Sequence, residues 1–331
     1  MNKYKFALDT GDSLNITGVN YAGEGAIPYV APAVLSAETI TNNLCRVMPD
    51  VKYKANLQKV SGVSVQTATC DFSIGAADKV TLTDKVLTMT DLKVNYEICK
   101  ADMRQTWGAA QTGGNLGSQL PPDFSTFLLQ YTAAKVGENI ERNIWQGSYD
   151  ANGSTAGSAL VSNFTGFCKL LVNGTGATAP GYEKNPTAAF VADAGTNGIL
   201  KHLDDLVSNS PSTIQNSPNT VIYMSRASLF LLHRAVSALG SGGVLVNPVE
   251  RPSTWLGFAI VTPAGFPNDT LLMTEPENLV FGTNALTDHT SVDLIDMSKT
   301  DASDNVRIAM RFSGGTQIVD EGDCGFVSRA S

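Results

Sequence analysis

The longest regular pattern of apolar and polar positions lies between Pro122 and Gly147. Apolar residues recur there at spacings of three and four, as on one face of an α-helix, and further apolar residues widen this stripe. The two sets are Leu129, Ala133, Val136, Ile140 and Ile144, and Phe124, Phe127, Leu128, Tyr131 and Ala134. The polar side carries Lys135, Glu138, Glu141 and Arg142. At roughly 1.5 Å per residue the pattern predicts a helix of about 35 Å, longer than an ordinary three-turn helix.

Signals at both ends of this helix agree with the pattern. The Asp123 carboxylate can accept hydrogen bonds from the N–H groups of the first turn, and Gly147 can end the helix in a left-handed conformation. Such a length suits a structural scaffold. Taken alone, however, the segment is better explained as a long core helix of an α+β domain.

Residues 51 to 99 show the two-residue alternation of β-strands. Three strand segments, VKYKANLQKV, VTLT and VLTMTDLKVNYEIC, flank a stretch with few large apolar residues. In the last segment Leu92, Val94, Tyr96 and Ile98 alternate with Lys93, Asn95, Glu97 and Cys99. The pattern predicts a long hairpin-like excursion. Because its middle can bury little apolar surface within its own subunit, we expect its tip to reach for a partner.

The remaining segments mix strands and helices. Residues 1 to 35 predict an extended arm, and Ser36 is expected to cap a short helix through Met48 that Pro49 stops. Further helices are predicted from Thr196 to Ser208 and, capped by Ser225, up to Gly240. Strands are predicted at TVIYM, WLGFAIVTP, DTLLMTEP, NLVFG, SVDLIDM, VRIAMRF, TQIVDEG and GFVS. This succession indicates an α+β fold that includes a mixed α/β domain.

Composition narrows the classes of function. An apolar fraction of 43% over 331 residues can fill a substantial core. The net charge of -8, without a basic block, leaves only weak contact with nucleic acid. The N-terminal residues lack the apolar run of a secretory signal, and no segment approaches the ~20 apolar residues of a membrane span. No membrane partner is therefore expected.

Side chains that could carry chemistry form no recognised motif. The cysteines are odd in number and widely spaced, which predicts reduced thiols rather than disulfides or a zinc site. The histidines lack a metal-ligand spacing, and the one in the apolar helix near residue 233 is expected to be a satisfied core or interface residue. These residues are Cys45, Cys70, Cys99, Cys168 and Cys324, and His202, His233 and His289.

Catalytic motifs also fail. Gly176 to Gly181 has the glycine spacing of a phosphate loop but lacks the following lysine, and no G-x-S-x-G elbow is present. The acidic pairs Asp204–Asp205 and Asp320–Glu321 are expected to be solvated surface. The sequons at Asn15, Asn152, Asn163, Asn173 and Asn268 are expected to be turn residues. We therefore predict no catalytic, cofactor-binding or metal-binding residue and a protein that is not an enzyme.

In order and pattern these segments resemble a major capsid protein of tailed bacteriophages, with the Hong Kong 97-type capsid fold. FSTFLLQYTAAKVGENIERNIWQG resembles the spine helix, residues 51 to 99 resemble the extended loop, and ETITNNLCRVMPDVKYK resembles the entry from the N-terminal arm. TVIYMSRASLFLLHRAV and WLGFAIVTPAGFP resemble the axial domain. ENLVFGTNAL and VRIAMRFSGGTQIVDEGDCGFV resemble the closing strands.

The resemblance implies a division of the chain into five parts. They are an N-terminal arm and short helix (1–45), an extended β loop (46–100), a peripheral domain (101–195) with its spine helix (123–146), an axial α/β domain (196–295), and closing strands shared between the peripheral and axial domains (296–331). The implied function is self-assembly into pentamers and hexamers of an icosahedral shell that encloses phage double-stranded DNA. Such a protein is made in the cytoplasm of the bacterial host and resides in the virion capsid.

The resemblance also implies partners. Besides other copies of the chain, these are a portal, decoration or head-completion proteins, weak non-specific contact with packaged DNA, and a scaffolding protein. The scaffold is expected to be a separate protein, because arm-like sequence follows Met1 directly. Some relatives crosslink a loop lysine to a neighbour's asparagine, and here ordinary surface lysines are expected instead. The loop lysines are Lys52, Lys54, Lys59, Lys79 and Lys85.

Two other interpretations remain open. An encapsulin, a cellular nanocompartment that carries an enzyme on its inner face, would share the fold. A cytosolic α/β hydrolase or carbohydrate-binding protein would instead stack Trp107, Trp145 and Trp255 on a ligand, although tryptophans at helix and strand positions more often belong to the core. The assembly state separates these classes.

Overall fold

The structure is a computed structural model that describes residues 19–22, 34, 37–61, 80–99, 124–148, 163–172, 174, 179–238, 253–284, 291–297, 303 and 305–329. The strands are β1 (Val19–Ala22), β2 (Arg46–Met48), β3 (Lys54–Ser61), β4 (Thr81–Thr88), β5 (Thr90–Cys99), β6 (Tyr182–Lys184), β7 (Val221–Met224), β8 (Thr254–Trp255), β9 (Phe258–Val261), β10 (Thr270–Thr274), β11 (Leu279–Thr283), β12 (Ser291–Asp296), β13 (Asn305–Ile318) and β14 (Gly325–Ser328). The α-helices are α1 (Glu38–Thr41), α2 (Phe124–Gln146), α3 (Phe167–Val172), α4 (Ile199–Asn209), α5 (Ser212–Gln215) and α6 (Arg226–Ala238), and Pro276–Asn278 and Glu321–Asp323 form 3-10 turns.

The first sheet is built around the 14-residue strand β13. Val306, Ile308 and Met310 are buried and alternate with the exposed Arg307 and Arg311, so one face of the strand meets the core. The strand order is β1-β12-β13-β11-β2, and β5 also pairs with β13. All pairs in this sheet are antiparallel except β11 with β2.

The two strands predicted at VRIAMRF and TQIVDEG are wrong as separate elements, because they form the single strand β13. Gly314 and Gly315 stay in the ladder, opposite Thr283 and Gly282. The backbone at the end of β4 passes very close to Gly315. A Cβ on Gly315 would lie 2.4 Å from the carbonyl oxygen of Thr88. The two glycines therefore admit a close backbone approach instead of breaking the strand.

The second sheet has the order β6-β14-β10-β7-β9-β8. Its central strands are buried on both faces, since Ile222 and Met224 of β7 belong to a core with α4 and α6, while Tyr223 belongs to a core with α2. Burial on both faces explains the uninterrupted apolar run of TVIYM. The predicted buried strand is confirmed.

Helix α2 confirms the predicted long helix, with 23 residues. Val136, Ile140 and Ile144 are buried as predicted. At the C-terminal end the Trp145 ring lies 5.1 Å from the ring centroid of Tyr223, which places α2 against the second sheet. Asp123, the predicted N-cap, lies outside the described residues.

Two features of the predicted α2 surface are wrong. Tyr131 is 49% exposed and Ala134 is also exposed, so the apolar stripe is narrower than its sequence pattern. Glu141, placed on the polar side, is buried. Its carboxylate is compensated by hydrogen bonds from the α1 segment, described below, which a local periodicity cannot reveal.

The predicted left-handed conformation at Gly147 is also wrong, because the left-handed residue is Ser148, with φ 58°. Gly147 instead permits close packing. The Gly166 N–H donates to the Gly147 carbonyl at 2.7 Å, and a Cβ on Gly147 would lie 2.1 Å from the Phe164 carbonyl oxygen. The start of α3 thus lies directly on the end of α2.

The short helix predicted through Met48 is wrong beyond its first turn. Helix α1 ends at Thr41, Asn43 adopts φ 53°, and Arg46–Met48 pair in parallel with β11 as β2. A tertiary pairing has overridden the local helical pattern. Ser36, the predicted cap, lies outside the described residues.

The strands predicted between residues 51 and 99 are confirmed over their described part. β3 and β4 form an antiparallel hairpin, and β5 then leaves it to pair with β13. The middle of the excursion, residues 62–79, lies outside the described residues.

The helices of the second half of the chain are confirmed, with shifted ends. Helix α4 begins three residues later than predicted, at Ile199, and α6 follows Ser225. The Ser225 hydroxyl accepts a hydrogen bond from the Ser228 N–H at 3.1 Å, as a cap should. Gly240 lies outside the described residues.

Together the helices and the mixed sheets confirm the α+β class. Within the described part of the chain, no helix is both long and apolar enough to cross a membrane. The five-part division of the chain stays a prediction.

Candidate assembly surfaces

The β3–β4 hairpin presents two different faces. The register pairs Leu57 with Lys85 and Val60 with Leu82, and side chains alternate between the faces. On the inner face Leu57 and Leu87 are buried with Val280 of β11. A Cβ on Gly282 would lie 2.7 Å from Leu87 Cδ2, so the glycine makes room for the hairpin.

The outer face of the hairpin carries apolar side chains that nothing in the described chain covers. Val60 and Leu82 stand opposite each other and are 62% and 60% exposed. Val86, on the same face of β4, is 44% exposed, and Val80, directly before the strand, is 59% exposed. An exposed apolar face of this kind is typical of an interaction surface.

Two lysines of the hairpin form ion pairs with acidic residues near the C-terminal end of the chain. The Lys85 ammonium pairs with the Glu321 carboxylate, and the side chains of the two are 16% and 7% exposed. Lys59 pairs with Asp320 and lies 3.9 Å from an Asp323 oxygen. Because the first pair is nearly buried, it is screened little by solvent.

The acidic turn that begins at Asp320, and that forms ion pairs with these lysines, is held in place by hydrogen bonds of its own. The Asp320 carboxylate accepts from the Gly322 N–H at 3.0 Å. Asn278 accepts from the Asp320 N–H and donates to its carbonyl, each at 2.8 Å. The prediction that Asp320–Glu321 is solvated surface is therefore wrong. The ordinary surface role expected for the loop lysines is also wrong for Lys85, whereas the Lys59 side chain is 41% exposed and keeps a surface position within its ion pair.

The other loop lysines and the acidic pair Asp204–Asp205 differ in how far they are exposed. Lys52 and Lys54 are exposed as predicted, and Lys79 lies outside the described residues. Asp204 is exposed. Asp205 is only partly exposed and binds two lysines, and these hydrogen bonds, that of Lys184 above all, lower the pKa of its carboxyl.

A buried polar network holds the α1 segment against α2. The Glu141 carboxylate accepts from the Thr39 N–H at 2.9 Å and from the Thr39 hydroxyl at 2.6 Å. The same hydroxyl accepts from Trp145 Nε1 at 2.7 Å. Tyr223 donates to the Leu44 carbonyl at 2.8 Å. The chain that enters the subunit is thereby fixed to both α2 and the second sheet.

Of the two tryptophans that the structure describes, Trp145 is not available to a ligand. Trp145 is fully buried in the core, so it cannot stack on a ligand in a groove. The Nε1 atom of Trp255 is buried without a hydrogen-bond partner among the described residues, and Trp107 lies outside them. The interpretation as a hydrolase or carbohydrate-binding protein thereby loses one of its three tryptophans.

Three of the four described cysteines are buried thiols that do not act as nucleophiles. Cys45, Cys99, Cys168 and Cys324 are free, which confirms reduced thiols at these positions, and Cys70 lies outside. Burial raises the pKa of both Cys45 and Cys324 to about 12 and also raises that of Cys168. These three thiols stay protonated at neutral pH and behave as small apolar side chains.

The histidines are separated in the fold. His202 is buried and lies 4.7 Å from the Phe190 ring, and burial, with a further contribution from Lys184, lowers its pKa to about 4. Both its ring nitrogens and Nε2 of His233 are buried without a hydrogen-bond partner in the described part of the chain. The role of His233 as a satisfied core or interface residue stays a prediction, since only the partners of Nε2 within the described residues are excluded. His289 lies outside the described residues.

Metal chemistry finds no support in these side chains. Among the residues that the structure describes, no group of three or more His, Cys, Asp and Glu side chains could hold a metal ion. Of the predicted acidic pairs, Glu321 and Asp205 are engaged by lysines. Residues 176–178 of the incomplete phosphate-loop spacing lie outside the described residues. The described surfaces of the chain can therefore bind another protein surface through packing, hydrogen bonds and ion pairs.

Sequence reasoning missed Glu141 and Glu321 as structural residues, because each finds its partners more than a hundred positions away along the chain. A local signal existed only for Glu141, which lies one helical turn before the buried Trp145. Glu321 had none.

Comparisons with known proteins agree on the fold. A chain of the satellite phage P4 procapsid including the size determination (Sid) protein has a TM-score of 0.56 at 14% identity, over 91% of this chain and 98% of that chain. A chain of the capsid of an empty GTA particle has 0.53 at 12% identity, over 98% and 96%. The capsid structure of the cyanophage P-SCSP1u has 0.51 at 12% identity, over 88% of each chain.

In sequence, no protein-family model and no curated protein matches this chain. The structural similarities cover nearly the whole length of both chains. The chain therefore has the fold of phage capsid chains, which confirms a capsid-protein fold of the α+β class, while the Hong Kong 97-type arrangement of domains stays a prediction.

Proposed function

We propose that this chain, whose fold is shared with phage capsid chains, is the major capsid protein of a tailed bacteriophage. Its function is to assemble into pentamers and hexamers of an icosahedral shell around double-stranded DNA. The observation that carries the proposal is the similarity to capsid chains over 88% to 98% of the sequence. Reactive groups are not needed for this function, so the protein is not an enzyme.

The finer architecture follows the Hong Kong 97 type. Residues 46–100 are the extended loop, 101–195 the peripheral domain with the spine helix, and 196–295 the axial domain. In 296–331, β13 lies in the first sheet and β14 in the second, which supports closing strands shared between the two domains. The 1–45 segment is the arm and short helix.

The β3–β4 hairpin has a surface that a neighbouring copy of the chain can cover, which supports assembly. Its inner face packs on its own subunit, while its outer face carries exposed apolar side chains. Covering such a face with a neighbouring copy removes apolar surface from water, at about 25 cal/mol per Å². A contact between two different surfaces of identical copies is heterologous and can close into a ring.

Other partners follow from the function. They are a separate scaffolding protein, a portal, and decoration or head-completion proteins. The net charge of -8 favours weak, non-specific contact with packaged DNA, because like charges repel. The protein resides in the virion capsid after synthesis in the host cytoplasm.

Negative-stain electron microscopy and size-exclusion chromatography test the proposal. The chain is expressed alone and together with its genomic neighbours, and particles are scored as closed shells, rings of five or six, or monomers. Shells or rings support the proposal. A well-folded monomer under every condition would refute it.

The contents of the shells decide between phage and encapsulin. Co-purifying portal and double-stranded DNA support the capsid of a phage. A redox enzyme inside otherwise empty shells identifies an encapsulin-type compartment and refutes the phage assignment.

A further inference from the structure

A cavity beside the first sheet brings together three cations from distant parts of the chain. Its volume is about 390 Å³, and its lining includes Lys52, Lys93 and Arg311 together with Tyr53 and Asp91. All five residues are exposed. Three cations and one carboxylate give the lining a formal charge of +2, on a chain whose net charge is -8. The cavity is therefore a local exception to the acidic character of the protein.

Two of these cations stand directly opposite each other in the sheet. The register of β5 and β13 pairs Lys93 with Arg311, so the two side chains lie on the same face of adjacent strands. Further along β13 the same register pairs Arg307 with Glu97, and these two form an ion pair at 2.6 Å. Like charges directly opposite each other are destabilising. The Lys93–Arg311 pair therefore carries a cost that the neighbouring pair does not, and an anion bound between the two would relieve it.

The described part of the chain supplies no counter-charge for these cations. None of the three forms an ion pair with Asp91 or with any other described carboxylate. In the orientation that satisfies the side-chain amide of Asn95, its oxygen accepts a hydrogen bond from Lys93 Nζ at 2.8 Å. This partner is neutral and leaves the charge of the lysine uncompensated. The cations thus remain available for an anion from outside the subunit.

A phosphate group is the anion that fits this lining best. The guanidinium of Arg311 can donate two parallel hydrogen bonds to phosphate oxygens, and a lysine ammonium adds a compact positive charge. The Tyr53 hydroxyl is a further donor. A terminal phosphate carries a charge of about -1.5 to -2 at neutral pH, which matches the formal charge of the lining. A single carboxylate from another protein would leave part of that charge unneutralised.

We propose that Lys52, Lys93 and Arg311 form a binding site for a phosphate group, which the backbone of packaged DNA or free phosphate supplies. For DNA, this proposal rests on the proposed function and deepens it. The acidic chain as a whole keeps contact with DNA weak, and the site concentrates that contact at one cationic cavity. The three residues lie far apart in the sequence, so only the folded chain forms the cluster.

Two probes test the site on the purified full-length chain. Inorganic pyrophosphate is titrated by isothermal titration calorimetry, and a short labelled DNA duplex by fluorescence anisotropy at low salt. The Lys93→Gln/Arg311→Gln double variant should weaken pyrophosphate binding by about tenfold or more. Arg311→Lys keeps the charge and loses only the two parallel hydrogen bonds, so it should weaken binding less. The matched control, Arg226→Gln/Arg234→Gln at exposed positions of α6, removes the same charge and should bind as the wild type does.

The second probe identifies the source of the phosphate. If DNA occupies the site, the double variant also lowers duplex affinity, and the slope of log K against log salt decreases by about 1 for each cation removed. If only pyrophosphate binding depends on the site, free phosphate is the ligand. Circular dichroism establishes that each variant is folded.

The proposal is overturned if the wild type binds neither probe, or if the double variant binds both as tightly as the control variant does. The same holds if the double variant abolishes assembly while its probe binding is that of the wild type, since the cations would then join copies of the chain. Both probes are measured without shells. A chain that binds phosphate and never assembles would therefore contradict the proposed function and leave the site standing.

Discussion

At the scale of single residues, the buried carboxylate of Glu141 has the clearest structural role. It is enclosed where α1 meets α2 and is satisfied by the backbone and hydroxyl of Thr39. Burying a carboxylate without partners is strongly unfavourable. Thr39 therefore supplies the hydrogen bonds that compensate the buried carboxylate, and Trp145 Nε1 donates to the Thr39 hydroxyl.

Replacing Thr39 with valine tests this network. The change keeps the shape but removes the hydroxyl, which leaves one Glu141 oxygen and the Trp145 N–H without a partner. We expect a loss of about 2 to 3 kcal/mol in the free energy of unfolding, measured by urea denaturation. Glu138→Gln, in an exposed pair with Lys135, is the control and should leave the urea midpoint unchanged. An unchanged midpoint for Thr39→Val would contradict the account.

His202 gives the subunit a defined acid sensitivity. Burial lowers its folded pKa to about 4, from an ordinary 6.5. Between these pH values the unfolded chain binds a proton that the folded chain does not, so stability is intact above about pH 6.5 and falls as the pH decreases. The loss levels off below about pH 4 and amounts to about 3 kcal/mol at most.

The pH dependence can be isolated with His202→Phe, which keeps an aromatic ring beside Phe190. Urea midpoints measured from pH 7.5 to 4.5 should decline less steeply in the variant than in the wild type. Parallel slopes would contradict the assignment. Asp205, whose folded pKa is lowered, loses its contribution only at lower pH, as its carboxyl is protonated, and so does not confuse the comparison.

At the scale of elements, the sequence predicted the helices and strands that have a local hydrophobic pattern. It missed the elements that depend on contacts with distant parts of the chain. Helix α2 and the buried strand β7 were predictable because the periods of three to four residues and the continuous apolar run are local signals. Strand β2 was missed because its partner β11 lies more than two hundred residues away. The hairpin was predictable as strands, but its attachment through Lys85 and Glu321 was not.

The junction of α2 and α3 depends on two glycines in contact. A Cβ on Gly166 would lie 2.5 Å from the Gly147 nitrogen and 2.8 Å from the Asn143 carbonyl oxygen. Because both neighbours are backbone atoms that cannot yield, Gly166→Ala should lower the free energy of unfolding by about 3 kcal/mol or more. Gly195→Ala, where the nearest atom would be 3.4 Å away, is the control. Equal urea midpoints for the two variants would contradict this packing.

The hairpin should loosen when its nearly buried anchor is removed. Lys85→Met leaves Glu321 without its counter-charge, and we expect amide hydrogen exchange in β3 and β4 to accelerate about tenfold or more. The Lys85→Met/Glu321→Gln double variant should recover part of the protection, whereas Lys54→Met, at an exposed position, should not change it. If Lys85→Met exchanges at the wild-type rate, the anchor is not what holds the hairpin.

At the scale of the whole molecule, the sequence predicted the α+β class of the fold, which followed from patterns that extend along the chain. The resemblance to phage capsid proteins depended on the order of elements, and the structural similarity over nearly the whole length agrees with it. The contacts between copies could not be predicted, because an interface has no period in the sequence. In the proposed function they depend on surfaces such as the outer face of the hairpin, whose strands β3 and β4 are paired only in the folded chain.

The central claim is that this chain exists to assemble. Mass photometry of the purified protein across a dilution series tests it most directly. We expect discrete species at five or six times the 35.0 kDa mass of the subunit, together with closed particles of far greater mass. A single folded species at the mass of one subunit, at every concentration and with its genomic neighbours present, would contradict it.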